Sequence, residues 1–318
     1  MVNYRLLAKR ENLHGILDPN ISPALKVKSG DKIMVETLDP DWRVKRPSSG
    51  TFESEYFPRI DGYDDDHALT GPIYVEGALP GKALKIEIGK IVTDNWGWCS
   101  VGAGDKEHLE NLGFSGELYF SLWDLDVENK KCTNELGIEV PMSPFPGVVA
   151  VAPKGNDKLT TKLPGKHGGN LDCKELGEGS VLYLPIYHEG ALLSVGDGHA
   201  AQGDGESCGT AIEAPFKEIE ITLSVVDLLL DSPLAYTQKG WISFGFDENL
   251  TKATYEALEN MRLFLKKKFG IDEKQAMVLC SLAGDLHITQ IVNGIKGVHC
   301  IFDDRVFNSL KTKYGIDS

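Results

Sequence analysis

No Cys-x-x-Cys pair occurs in this chain, so a zinc ribbon or a dithiol redox motif is excluded. Its six cysteines (Cys99, Cys132, Cys173, Cys208, Cys280 and Cys300) are widely spaced, which also argues against a disulfide framework. No apolar stretch nears the ~20 residues needed to span a bilayer. The opening MVNYRLLAKRENLHG has no apolar run behind its charges and does not read as a signal peptide. Positive charge is scarce: 33 Lys and Arg against 47 Asp and Glu leave a net charge of −14. That balance argues against a nucleic-acid partner, whose phosphates want a basic face. Together these absences point to a cytoplasmic protein with a neutral or cationic ligand, or a bound cation. A G-x-S-x-G nucleophile elbow is missing as well. The one cysteine with a histidine beside it is Cys300, next to His299, and consecutive strand residues point to opposite faces. No nucleophilic triad is visible. Internal repeats and low-complexity tracts are absent too.

Glycine is plentiful: 34 glycines with 15 prolines favour many turns, and hence many strands. Strands are expected at 32–38, 72–76, 83–92, 142–153, 181–187 and 216–226. The last alternates cleanly, with Ile219, Ile221, Leu223 and Val225 on one face and Glu218, Glu220 and Thr222 on the other. Residues 39–59 and 93–116 read as loops. The first carries Trp42, Tyr56 and Phe57, rings that either close over something or anchor the loop to the body. The second carries Trp96 and Trp98, which wall a small pocket or fill the core. Near residue 231 the pattern changes. Thr251 to Phe269 has the apolar stripe of an amphipathic helix, ended by Gly270. Asp272 and Gln275 are spaced as a capping box for a second helix through Leu282, and Asn293-Gly294 marks a hairpin. The expected architecture is a mainly β body over 1–230, carrying the site, with a C-terminal α+β portion over 231–318 packed on it.

Chemistry concentrates in residues 190–213, GALLSVGDGHAAQGDGESCGTAIE. Ala191 to Val195 reads as a buried strand feeding a glycine-rich loop. Asp197, His199, Asp204, Glu206 and Glu213 sit in or beside that loop. Such groups are metal ligands and acid–base catalysts. Asp197 and His199 are two residues apart, so on extended backbone both point to one side. A solvated surface turn is the competing reading, although the segment is long for a connector. Asp64, Asp65 and Asp66 before His67 form a second acidic group, either a ligand set or a solvated turn. Ligation by oxygen alone, through Asp64, Asp66, Asp204 and Glu206, would suit calcium or magnesium; imidazole ligation would suit zinc.

Three segments, HALTGPIYVEGALPGKALKIEI, GGNLDCKELGEGSVLYLPIYHEGALLSVGDGHAAQGDGE and TAIE, resemble the acetamidase/formamidase family. The similarity extends through AGDLHITQIV near the end. One departure is Ala68, where the family usually places proline after its histidine. The resemblance implies a β-sandwich of jelly-roll type with some helix, and hydrolysis of short amides to a carboxylate and ammonia. It also implies a divalent metal, zinc or calcium. Carried over by position, the metal ligands are His67, Asp172, Asp197 and His199, while Glu213 and Asp285 fall on recurring motif positions. Glu213 or Glu206 is then the proton carrier, with Trp96, Trp98 and Asn170 against the substrate. A homodimer is expected. Two other readings stay open: a hydrolase of another C–N bond, in a cyclic or longer amide, and a non-catalytic β-sandwich that binds a ligand through a cation.

Overall fold

The computed structural model describes residues 3–48, 53–102 and 106–316. Two large sheets face each other across one core. The first has nine strands, in the order Asn3–Leu6, Asp31–Val35, Phe216–Val226, Ala83–Thr93, Val181–Pro185, Leu234–Thr237, Gly240–Asp247, Lys296–Asp303 and Gly284–Gln290. The second is built around Leu193–Ala201, which is hydrogen-bonded to Phe145–Ala150, Leu69–Glu76 and Ile212–Glu213. Ile33, Ile86 and Ile221 of the first sheet pack with Val149, Leu193 and Val195 of the second. This is the sandwich expected from the sequence.

Strand periodicity explains the first sheet. In Phe216–Val226 the residues Ile219, Ile221 and Leu223 are buried, and the alternating Glu218, Glu220 and Thr222 are half-buried. The central strands of the second sheet differ. Phe145–Ala150 is buried along its whole length, and Leu193–Ala201 along all but its last residue. Both of their faces are covered, so no polar alternation marks them.

The sequence reading is corrected at two places here. The expected strand at 191–195 runs instead from Leu193 to Ala201, straight through the glycines taken as a loop. Gly196 and Gly198 are there for close approach rather than for turning. A Cβ on Gly196 would lie 2.4 Å from the Ala68 carbonyl oxygen, and one on Gly198 2.3 Å from that of Ala214. Within the expected loop 93–116, Trp96–Val101 is a strand.

The C-terminal residues extend the first sheet and add helices. Leu250–Phe269 buries Ala253, Ala257, Met261 and Leu265. Asn249 caps its start, accepting from the amides of Thr251 and Lys252. The capping box of Asp272 and Gln275 is formed, ahead of Glu273–Ala283. A final helix, Asp304–Tyr314, was not foreseen; Asp303 caps it. No helix among the described residues is long and apolar enough to cross a membrane. All six cysteines are free.

Candidate active site

Leu193–Ala201 delivers the central pair. Asp197 and His199 come to one side as their two-residue spacing predicts, although Asp197 stands on left-handed rather than extended backbone. The neighbouring register places Glu213 directly opposite His199. His199 Nε2 lies 3.2 Å from Glu213 Oε2 and 3.5 Å from Asp197 Oδ1. Asp172 arrives from the turn after Gly168–Asn170, and Glu206 from the loop after Ala201. One ligand atom each of Asp172, His199 and Glu206 falls within a 4.8 Å cluster, and so does one each of Asp197, His199 and Glu213. His67 completes the ring, its Nδ1 4.0 Å from Asp197 Oδ2.

Gly147 is the floor of this arrangement. A Cβ there would lie 2.5 Å from Asp197 Oδ2, 2.8 Å from His199 Cε1 and 2.9 Å from Asp172 Oδ1. Only glycine leaves room for three side chains to converge at that point. Three of the four carboxylates also stand on left-handed backbone: Asp172 at φ 48°, Asp197 at φ 53° and Glu206 at φ 48°. That conformation is unfavourable for non-glycine residues, and for Glu more than for Asp. The fold spends backbone strain to aim these groups.

Their electrostatics are unbalanced. Asp172, Asp197, Glu206, Glu213 and His199 are all buried. Burial pushes Asp172 up to about 8 and Glu213 up to about 7, despite the opposing pull of His199. Glu206 is also raised well above the carboxylate range, by burial and then by the charge of Asp172. For Asp197, burial is outweighed by His67 and His199, which hold it down at about 2. For His199, burial is likewise outweighed, here by Glu213 and Asp197, which raise it well above the usual imidazole value. Four buried carboxylates therefore face two imidazoles, one buried and one at the edge, too little positive charge for all of them to ionise. Five buried atoms of these groups (His67 Nδ1, Asp172 Oδ1, His199 Nδ1, Glu206 Oε2 and Glu213 Oε2) have no hydrogen-bond partner among the described residues. Imidazole nitrogens and carboxylate oxygens in two adjoining clusters that share His199, with His67 beside them, are groups that could hold a divalent cation.

These groups open on a cavity of about 500 Å³, lined by His67, Asp197, Glu206, Glu213, Trp98 and Asn170 among others. Trp98 is held from behind: its indole donates to buried Asp39, and the Arg43 guanidinium lies 4.6 Å above its ring. Burial pushes Asp39 up to about 6 against the pull of Arg43. Asn170 is buried with an unpartnered Oδ1. Trp96 is absent from the lining; it packs with Phe120 and Leu122.

The structure separates the other candidates from this centre. Asp64 is spent on Arg10, whose Nη1 and Nη2 donate to it over 2.6 and 3.0 Å. Asp66 accepts from Thr160 and Lys162. Asp204 pairs with Lys174 and His287. The oxygen-only set does not assemble, because each of these carboxylates has a cation or donor of its own. Asp285 is exposed, on another face. Trp42 is fully buried and donates to the Asp66 carbonyl, so in 39–59 the anchoring role holds for that ring.

One wall was not foreseen. Val292 and Asn293, from the turn read only as hairpin punctuation, line the cavity. Asn293 Nδ2 donates to Asp172 Oδ2 over 2.8 Å, across 121 residues of chain.

A family model described as the Acetamidase/Formamidase family matches residues 2–160 and 155–232. The chain belongs to the acetamidase/formamidase family. Its relatives include a formamidase of Methylophilus methylotrophus, 26% identical over 88% of this chain and 86% of that protein. Among solved structures, a predicted acetamidase/formamidase from Thermoanaerobacter tengcongensis matches with a TM-score of 0.86 at 30% identity, covering 100% of this chain and 99% of that one. An acetamidase from Bacillus halodurans matches with a TM-score of 0.84 at 30% identity, over 96% of this chain and 99% of that one.

Proposed function

We propose that this cavity hydrolyses short linear amides to a carboxylate and ammonia with a divalent metal, best zinc, held by His67, Asp172, Asp197 and His199. Membership of the family makes the chain an amidohydrolase of linear amide C–N bonds. The observation that carries the metal reading is the clustering of buried imidazole and carboxylate groups with unpaired atoms around His199, the side chains of Asp172, Asp197 and His199 meeting over Gly147. Two imidazoles among the donors favour zinc over calcium. When bound, the metal withdraws charge from the amide carbonyl and makes water a better nucleophile at neutral pH.

The chain's own groups do the rest. Glu213 lines the cavity opposite His199, and with the metal bound its carboxylate is the general base. Its Oε1 is fixed by the Ala211 amide at 2.9 Å, so Oε2 is the oxygen that moves protons. It takes a proton from the attacking water and returns one to the leaving nitrogen. Glu206, also on the cavity wall, is the alternative carrier. The free Oδ1 of Asn170 is placed to accept from the substrate NH2, and Trp98 offers an apolar wall to the acyl group. A cavity of about 500 Å³ exceeds what formamide fills, which favours longer linear amides as further substrates.

The test pairs metal analysis with ammonia release from formamide, acetamide and longer amides, before and after chelation. Bound zinc with chelator-sensitive release is the expected result. Full activity in metal-free protein would overturn the metal reading.

A further inference from the structure

We propose a second divalent transition-metal site, separate from the amidase centre, formed by Asp204, His287 and His299. One ligand atom from each lies within 4.8 Å of the others. Asp204 Oδ2 and His287 Nδ1 are already 3.0 Å apart, and the two imidazole rings stack at 4.9 Å with an interplanar angle of 6°. His299 is fully buried. Its Nδ1 is engaged by the Thr289 hydroxyl at 2.8 Å, while its Nε2 has no partner among the described residues. Burial favours the neutral form of this imidazole, the form that binds metal. The Thr289 contact fixes the ring as outer partners of ligating histidines commonly do. Ligand atoms at ~2.1 Å from a tetrahedral zinc are ~3.4 Å apart and the ion lies in the plane of each ligating ring, so closing the site needs shifts on the order of 1 Å and a turn of the His287 ring out of its stack on the buried His299. Two imidazoles and one carboxylate with an open position suit zinc or another first-row divalent ion.

Lys174 competes for this place. Its Nζ lies 3.0 Å from Asp204 Oδ2 on a side chain about a third exposed, free to swing outward. The site also has a structural consequence. Asp204 precedes Gly205, whose amide donates to the Thr289 carbonyl and whose carbonyl accepts from Ile291. An ion here ties the loop of Glu206 to the hairpin that carries Asn293.

The experiment counts zinc by elemental analysis on the whole chain, stripped with chelator, reloaded and dialysed. Wild type is expected to hold two ions per chain, and His287→Ala and Asp204→Asn one each, with unchanged circular dichroism. Lys174→Gln is expected to bind the second ion several-fold more tightly in calorimetry. An unchanged zinc count in both His287→Ala and Asp204→Asn would overturn the proposal, and so would a Lys174→Gln protein with no gain in affinity. The count lost on His199→Ala reads the amidase centre alone, so the two sites fail or stand separately.

Discussion

Two stretches of this chain look alike on paper and fold to opposite ends. Asp64, Asp65 and Asp66 run up to His67, and Asp197, His199, Glu206 and Glu213 follow one another across a glycine-rich segment. In the first, Arg10 and Lys162 neutralise Asp64 and Asp66, and only the histidine is left to face the cavity. In the second, Asp204 keeps Lys174, but Asp197, Glu206 and Glu213 are buried with one imidazole of the stretch and, among the described residues, no lysine or arginine paired to them. The difference lies not in the density of acids but in whether the fold brings a cation to them. A paired carboxylate serves the architecture; an unpaired buried one awaits a ligand.

That contrast can be broken most sharply at its centre. His199→Ala should lower kcat for ammonia release by on the order of 10³-fold or more, since charge relief at the carbonyl is worth several kcal/mol. Metal content should fall with it, and a variant with full activity would remove His199 from the centre. Gly147→Ala should be nearly as severe. Its methyl would enter the space shared by Asp197, His199 and Asp172, costing about 1–3 kcal/mol of stability and most of the bound metal. Calorimetric melting with metal analysis reads both.

On the paired side, Arg10→Ala strands Asp64, which is 1% exposed. The loss should be about 2 kcal/mol, below that of a fully buried pair because the Arg10 side chain is 31% exposed. Turnover per folded molecule should hold. A loss of metal in that variant would mean the acidic turn belongs to the site after all.

The smallest effect is a slope. In metal-free protein Asp172, Glu206 and Glu213 have folded-state values raised above those of the unfolded chain, and so has His199. Below about pH 6.5 the buried neutral His14, His167 and His299 contribute with the opposite sign, so the folded chain carries the clear excess of protons between about pH 6.5 and pH 8, and stability falls as pH rises through that window. Asp197, held at about 2, contributes with the opposite sign, but only below about pH 4. Bound metal replaces those protons, so the loaded protein should lose most of the slope. Denaturant melts from about pH 6.5 to pH 8, with and without chelator, measure it; stability rising with pH in the chelated protein across that range would contradict the charge imbalance.

How much of this was legible in the sequence depended on how local the signal was. The alternation of Phe216–Val226, the apolar stripe of Leu250–Phe269 and the box at Asp272 are each complete within one element, and each was read correctly. Leu193–Ala201 was misplaced because glycine was taken as punctuation. Here it admits neighbouring backbone, which only the assembled sheet reveals. Within the site, the pairing of Asp197 with His199 was readable from strand period. That Glu213 lies across from His199 depends on register, which no local pattern states. Asn293 was read for its turn and not for its side chain, because its partner Asp172 is a long way back in the chain.

That last contact bears on how the enzyme is made. A ribosome adding roughly 5–20 residues per second completes Asp172 some 6–24 s before it reaches Asn293, 121 residues later. The strands that gather the carboxylates are therefore synthesised well ahead of the hairpin that closes over them. Until then Asp172 is without the donor that reaches it from the C-terminal portion of the chain.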